Sequence, residues 1–533
     1  MKVQTKVLVI GVLAAFAVQG ILAQEAKPKK GAAGKKDAGA AAPAASVPDV
    51  KTTLIAAEDV LGMRRGPLRL DAYSTLEYWA SGTTNAIGQA YSPDGPWPAF
   101  KTTVDVTLNY VLPAIRVDIT RTNPDGPIQG GGGLPLAAPQ HQITVANGKY
   151  AWNESVQGAG FLPNTTATPV LDAANDRLMP VLTTPGGFLK TAMNNGSDTK
   201  VTTEGGTTVI TTPIMGLPVS ATLDAKHLIT KIEWKSDNPV LGDMMNEIDY
   251  SGYKDLGETP SDAIFPERIV EKQGGFPVLD LTVTKTEANN PYVVFPVPDN
   301  VEKAFAQGPA PIKVDTTKVA DGVYFLTGGT HNSVAVEFKD YVALVECPLN
   351  DDRSLAVSDA VKKTIANKPI KYVVVTHHHF DHSGGIRACA ANGSTLVTYT
   401  PNKAYFDKVL ANPHTVKPDE LSKYKKKSVI EAVAEKRVFT DATQTMELYH
   451  LTGSDHADTM LLVYLPKSKT LVEADVWNPV AANAPTPKPN KENINLVTFI
   501  KTQKLDVATI LPIHGRQVTI AELNKLVGSG SSD

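Results

Sequence analysis

The chain has 533 residues, of which 42% are apolar, so it is long enough for two or three domains with full cores and is not composed like a disordered protein. The formal net charge is −3, but residues 1–50 carry seven Lys against Glu25, Asp37 and Asp49, which leaves −7 on the remainder. An acidic body excludes a surface dominated by phosphate-binding Lys and Arg, so we expect no nucleic acid partner. The one basic run, residues 423–427, predicts a solvated helix face or loop.

Residues 1–23 have the features of an export signal. Lys2 and Lys6 precede an apolar run over residues 7–18, and the small residue Ala23 closes a cleavage sequence. The apolar run is too short to favour a membrane span, although an uncleaved anchor is the alternative reading. We therefore expect a periplasmic or secreted protein with no stable membrane span once the signal is removed. Residues 24–50, rich in Ala, Lys, Gly and Pro, predict a flexible linker.

Residues 51–305 predict a mostly antiparallel β domain. Apolar and polar residues alternate over 104–110 and again over 115–119, as one face of a half-buried strand requires. Asn147-Gly148 lies between two strand-like runs and predicts a hairpin with a type I′ turn.

Further hairpins are predicted at 222–234 and 268–283, and the Gly-rich and Pro-rich residues 123–136 predict a surface loop. The region resembles the half-open β-barrel of periplasmic lipoprotein carriers, with its closing stretch, residues 265–283, similar to what precedes some exported hydrolase domains.

Residues 311–533 change character, because strand-like runs now alternate with helical ones, which is typical of a layered α/β domain. Val357, Val361 and Ile365 repeat at helical spacing. A capping box over residues 519–522 opens a last helix. Cys347 and Cys389 can pair in an oxidising compartment, but their apolar surroundings favour buried free thiols. We expect strands at 333–338, 341–345, 372–375 and 460–465.

Ligand-type side chains are concentrated directly after the predicted strand at 372–375. They are His377, His379, Asp381 and His382. Alternate side chains of an extended segment point the same way, so His377 and His379 can hold one ion, while Asp381 and His382 can face a second as the chain turns. Four such residues in six positions are hard to explain as packing, and we predict a metal site here.

The pattern His-x-His-x-Asp-His after a buried strand resembles the signature of the metallo-β-lactamase superfamily, and residues 311–533 resemble that family over nearly their whole length. The resemblance implies a four-layer αββα fold with metals between two sheets. It also implies three further ligands downstream, each where a strand ends.

His456 fits the third histidine, with His450 as a competitor inside a strand. Asp475 fits the bridging aspartate, with Glu473 as the in-strand competitor, and His514 fits the last histidine. By this resemblance one metal is held by His377, His379 and His456. The second is held by Asp381, His382 and His514, and Asp475 bridges the two. Imidazole and carboxylate ligands favour two Zn²⁺ ions, with iron or manganese as alternatives.

Two more histidines are ambiguous. His378 lies between two ligands of the motif and should point away from them, towards a supporting or surface role. His331 precedes a predicted strand, where the family often places a loop over the cleft, and a substrate contact is one reading.

The resemblance implies an exported metal-dependent hydrolase that uses a metal-bridging hydroxide, with Asp381 as a catalytic residue. We expect a small-molecule substrate that is an ester, lactone, thioester or lactam. Three alternatives stay open: a phosphodiesterase or nuclease, a mononuclear iron dioxygenase, and a periplasmic ligand-binding protein with a structural metal site. The metal content separates the dioxygenase from the others.

Overall fold

A computed structural model describes residues 49–158, 166–257, 263–423 and 427–529. The predicted signal, nearly all of the predicted linker and the centre of the basic run lie outside these residues. Among the described residues, none of the helices is both long enough and apolar enough to cross a membrane. The first helix begins at Val50, the last residue of the predicted linker, where the side chain of Asp49 accepts a hydrogen bond from the backbone of Thr52.

The first half of the structure is built on one antiparallel sheet of 13 strands. Its strands lie in the order β8-β7-β6-β5-β4-β3-β15-β14-β13-β12-β11-β10-β9. The helices are α1 Val50–Val60, α2 Ala174–Thr183, α3 Pro185–Asn194 and α4 Asp299–Gln307, with a 3₁₀ helix at Gly196–Asp198. The strands are β1 Arg64–Arg65, β2 Leu70–Asp71, β3 Thr75–Asn85, β4 Ala99–Asn109, β5 Ala114–Thr122, β6 Gln140–Asn147, β7 Tyr150–Glu154, β8 Ala167–Pro169, β9 Lys200–Glu204, β10 Thr207–Ile214, β11 Leu217–Leu223, β12 Ile229–Asn238, β13 Gly242–Asp255, β14 Ile264–Gln273 and β15 Phe276–Ala288.

Alternation of apolar residues creates this sheet as the sequence predicts. Val104, Val106 and Leu108 of β4 are buried in the core that α2 and α3 share with the sheet. The hairpins β11–β12 and β14–β15 confirm the predictions at 222–234 and 268–283.

The predicted type I′ turn is wrong in detail. Asn147 pairs with Tyr150, so Gly148 and Lys149 form the turn, and only Gly148 adopts a positive φ, of 54°. A glycine at the first central position is typical of a type II′ turn.

The second half has two sheets. The first has the order β16-β17-β18-β19-β20-β21-β22 and the second β23-β24-β25-β26-β27-β28. The strands are β16 Asp315–Ala320, β17 Val323–Thr327, β18 Ser333–Glu337, β19 Val342–Val345, β20 Ile370–Val374, β21 Thr395–Tyr399, β22 Val429–Val433, β23 Lys436–Thr440, β24 Thr445–His450, β25 Leu461–Leu465, β26 Thr470–Glu473, β27 Thr509–Pro512 and β28 Val518–Thr519. The helices are α5 Asp351–Thr364, α6 Phe380–Ser383, α7 Ile386–Ala391, α8 Asn402–Ala411, α9 Glu420–Lys423, α10 Lys491–Thr502 and α11 Ile520–Ser529, with a 3₁₀ helix at Pro466–Ser468.

Three apolar cores show that these elements form four layers, αββα. One core lies between the two sheets and includes Val334 of β18 and Val463 of β25. A second packs α5, α7 and α8 on the outer face of the first sheet, and a third packs α10 and α11 on the outer face of the second. Successive residues of β25 alternate between the central and the outer core, because its strand is buried on both faces. The predicted fold of this half, including the capping box of Thr519 and Glu522, is confirmed.

The expectation of free thiols is wrong. Cys347, which follows β19, and Cys389 on α7 form a disulfide although they are 42 residues apart. Both are buried, so apolar surroundings alone did not distinguish a thiol from a half-cystine.

We expect protein that is unfolded without a reductant to show no free thiol in a colorimetric assay, and two after reduction. Replacing both cysteines by Ser should lower the free energy of unfolding by about 2–4 kcal/mol, because the crosslink restricts the unfolded chain. Two reactive thiols before reduction would contradict the disulfide.

Candidate functional site

The predicted ligand residues come together at one edge of the αββα sandwich, where strands of both sheets end. His377 and His379 follow β20, and Asp381 and His382 lie on α6, the short helix that continues from them. His456 lies between β24 and β25. Asp475 follows β26 with a φ of 60°, and His514 follows β27.

Asp475 lies at the centre of this cluster. Its Oδ2 is 2.7 Å from Nε2 of His382 and 3.5 Å from Nε2 of both His377 and His456. Its Oδ1 is 3.2 Å from Nε2 of His514. One carboxylate therefore faces histidines from both halves of the predicted ligand set.

Three imidazole nitrogens converge without a partner. Nε2 of His377, Nδ1 of His379 and Nε2 of His456 are buried and accept no hydrogen bond from any described residue. One ligand-type atom from each of these residues lies within 4.8 Å of the others. Buried polar atoms normally find partners, so three unpartnered nitrogens this close together fit the ligand set of a metal ion.

The second group contains one residue more than the sequence predicts. Ligand-type atoms of Asp381, His382, His514 and His331 lie within 4.8 Å of one another. Nε2 of His331 is 3.1 Å from Oδ2 of Asp381. The other ring nitrogen of His331, Nδ1, is 2.9 Å from the hydroxyl of Thr330. His331 therefore contacts the cluster itself.

Burial and neighbouring charges set the protonation of the cluster. Burial lowers the pKa of His377, His379 and His456, so these rings are neutral, as metal ligation requires. Burial acts to raise the pKa of Asp475, but the facing histidines, His382 first, hold that pKa well below its usual value. Burial likewise acts to raise the pKa of Asp381, but His382 and the hydrogen bond with His331 lower it further, so its pKa is low. Both carboxylates are therefore ionised.

The two competitors lie outside the cluster. The ring of His450 stacks on Tyr399, with centroids 3.9 Å apart, and its Nε2 is 3.0 Å from the backbone oxygen of Asp458. Glu473 is fully buried, and its carboxylate accepts hydrogen bonds from the backbone N–H groups of Val476 and Trp477. Burial raises the pKa of Glu473 to about 8. Glu473 thus stabilises the turn that presents Asp475.

The β3–β4 loop, residues 86–98, reaches from the large sheet onto this cluster. The backbone oxygen of Ala90 lies 2.8 Å from Nε2 of His379 and 2.9 Å from Nε2 of His378. A carbonyl oxygen only accepts, so Nε2 of His379 carries the proton and Nδ1 presents its lone pair to the cluster. His378 has the supporting role, since its Nδ1 is 3.0 Å from the hydroxyl of Thr459.

Gln89 in the same loop holds Asp381. Its Nε2 donates to Oδ1 of Asp381 at 2.8 Å, and its Oε1 accepts from the backbone of Gly132 at 2.9 Å. Gly132 belongs to the β5–β6 loop, residues 123–139, whose Gly131 is buried against His379 and His456. The prediction of a surface loop at 123–136 is therefore wrong at its centre. Sequence reasoning missed Gln89, and the run of four glycines at 130–133 was the one available signal of a close approach.

Both loops and the strand ends enclose a cavity of about 1200 Å³. Asp381, His456, Asp475 and His514 line one side of it. Phe100 and Arg121 of the large sheet also line it. Among the described residues that line the cavity there is no Ser, Thr, Tyr or Cys.

Comparison with known proteins gives the family. Residues 326–514 match the profile of the metallo-beta-lactamase superfamily, and this part of the chain belongs to that superfamily. Membership supports a metal-dependent hydrolase in general. No curated protein matches the chain.

Solved structures with some likeness include several metallo-beta-lactamases. One from Pontibacter korlensis has 19% identity and a TM-score of 0.32, with 42% of this chain and 100% of that chain covered. FIM-1 from Pseudomonas aeruginosa, in its mono-zinc form, has 18% identity and a TM-score of 0.31, with 42% of this chain and 96% of that chain covered. One from Hirschia baltica has 18% identity and a TM-score of 0.30, with 40% and 95% covered.

Gly131 offers a direct test of the contact between the large sheet and the cluster. A Cβ at this position would lie 2.0 Å from Oε1 of Gln89, 2.8 Å from Cε1 of His379 and 3.0 Å from Cε1 of His456. Replacing Gly131 by Ala should therefore displace Gln89, which holds Asp381, or one of the two rings, and weaken metal binding by about ten- to a hundredfold, as changes around ligands typically do.

The metal content after dialysis against graded chelator measures this effect. Gly133→Asn is the matched control, because no atom lies within 4 Å of a Cβ at residue 133 of the same loop and Asn tolerates its positive φ. Equal metal affinity in Gly131→Ala and the parent protein would contradict the contact.

Proposed function

We propose that the protein is an exported metal-dependent hydrolase that cleaves an ester, lactone, thioester or lactam. The observation that carries this proposal is the convergence of three bare imidazole nitrogens beside the carboxylate of Asp475. The imidazole and carboxylate side chains of this cluster are suitable ligands for divalent metal ions. His377, His379 and His456 would hold one divalent ion, Asp381, His382 and His514 a second, and Asp475 would bridge them. Zn²⁺ suits these ligands best.

A pair of divalent ions, when bound, supplies water of lowered pKa and polarises the oxygen of a carbonyl group. The cavity is lined by no hydroxyl or thiol side chain among its described residues, which supports water as the nucleophile. Asp381 is fixed from two sides, by Gln89 at Oδ1 and by His331 at Oδ2. Its low pKa keeps the carboxylate ionised, so it can accept a hydrogen bond from an attacking water and orient that water.

The charge of the cavity argues against a nucleic acid substrate. Among its described lining residues the only Lys or Arg side chains are Arg121 and Lys491, and phosphate backbones need clustered basic residues. A small acyl compound fits a cavity of this size better.

The ligand assignment is tested by matched substitutions. His377→Ala and Asp475→Ala should lose metal and at least about a hundredfold in activity, since changes around a ligand already cost ten- to a hundredfold. His450→Gln should keep metal and turnover. Glu473→Gln should keep metal and lose about 0.5–3 kcal/mol of stability, because an amide oxygen can still accept from the turn.

Elemental analysis with a chromogenic panel of ester, lactone, cephalosporin and phosphodiester substrates gives the readout. Loss of metal in His450→Gln with retention in His377→Ala would refute the assignment. A single equivalent of iron, with oxygen consumption and no hydrolysis, would replace the proposal by the dioxygenase alternative.

Export is supported by the charged, apolar start of the chain and by the disulfide, which persists in oxidising compartments. We predict that mass spectrometry of protein from its native cells finds an N-terminus near Gln24 in the periplasmic or secreted fraction. Full-length chain beginning with Met1 in the cytoplasmic fraction would refute export.

A further inference from the structure

The two cations that line the cavity differ in their partners. Nζ of Lys491 forms an ion pair with Asp455 at 2.5 Å. The guanidinium of Arg121, on β5, has no carboxylate within 4.0 Å among the residues that the structure describes. Of the two cations that line the cavity, Arg121 is therefore the one without a carboxylate partner among the described residues.

The surroundings of Arg121 make this unusual. The side chain is half-buried, and this burial lowers the pKa of its guanidinium. Nε donates to the hydroxyl of Thr84 at 3.1 Å, and the ring of Phe100 lies 6.0 Å from the guanidinium carbon. Thr84 satisfies one of five N–H donors, and within the described part of the chain no other hydrogen bond is formed by this group. The other guanidinium nitrogens of Arg121 are not among the buried polar atoms of the described residues, and Arg121 lines the cavity, so these donors are accessible to a ligand there.

Arg121 shares the cavity with the cluster that the proposed function uses. Asp381, Asp475 and His514 line the same space, as do Gln89 and glycines of the β5–β6 loop. An acyl compound whose carbonyl lies at the cluster can thus present a second group to the wall formed by the large sheet. A planar fork of N–H donors matches a carboxylate with two parallel hydrogen bonds.

We propose that Arg121 determines specificity by binding a carboxylate of the substrate, so that the preferred substrates are acyl compounds with a negative charge. The inference rests on the proposed function. It gives the β-rich half a direct part in substrate selection, because Arg121, Thr84 and Phe100 all belong to its sheet.

Arg116 provides a matched control on the same strand. Its guanidinium donates to Thr107 at 3.2 Å and lies 5.3 Å from the ring of Phe295, and Arg116 does not line the cavity. Loss of Arg116 removes the same charge from the same strand without touching the proposed carboxylate position.

The test compares mono-(4-nitrophenyl) glutarate with its methyl ester, which share a leaving group and differ in one negative charge. The metal-loaded parent protein should favour the anionic ester in kcat/KM by about tenfold or more, the usual value of hydrogen bonds to a charged group. Arg121→Gln should lose this preference, and Arg116→Gln should keep it. Arg121→Lys should keep part of it, because the charge stays and the fork is lost, and this variant decides the matter if Arg121→Gln does not fold.

A parent protein without preference, or an Arg121→Gln variant that keeps it, overturns the inference. If neither ester is hydrolysed, the proposed function fails, and calorimetric titration with benzenesulfonate tests Arg121 by itself. The parent protein should bind this anion about tenfold more tightly than Arg121→Gln at equal metal content. Equal affinities overturn the inference whatever the reaction is.

Discussion

The arrangement of the site depends on one carboxylate among histidines. Oδ2 of Asp475 lies within 3.5 Å of ring nitrogens of His377, His382 and His456, which come from strand ends of both sheets. Without a cation, so many buried donors and acceptors at one point are costly, because unpaired polar atoms lose their hydration. The two sheets and Glu473, which caps the turn, supply the rigidity that keeps Asp475 there, since a backbone with positive φ persists only when its surroundings fix it.

The large antiparallel sheet is joined to this centre by hydrogen bonds and not only by the chain. Ala90 orients His379, Gln89 holds Asp381, and Gly131 approaches the rings closely enough to leave no room for a side chain. The site is assembled from the two sheets of the αββα half and from the β3–β4 and β5–β6 loops of the large sheet. The large sheet thereby adds a preorganised wall to the cavity. Such a wall can select substrates without altering the groups that react.

Much of the fold and the site could be predicted from local sequence. Contacts between residues far apart in the chain could not, because no local pattern relates them. The ligand motif is contiguous, and the buried strand before it is recognisable from its composition, so residues 377–382 could be located. Gln89 is 292 residues from the Asp381 that it contacts, and no periodicity or spacing relates the two. Cys347 and Cys389 are likewise neighbours only because a loop and a helix pack together. The similarity of the large sheet to lipoprotein carriers stays a prediction.

Our central proposal is that the site binds two metal ions, one beside each group of ligand residues, in a cavity that the large sheet helps to form. Anomalous diffraction at the absorption edge of the metal found in purified protein tests this most directly. The account predicts two peaks about 3.5–4 Å apart, the first beside His377, His379 and His456 and the second beside Asp381, His382 and His514. A map with no peak there, in crystals of protein that is active and retains its metal, would contradict it.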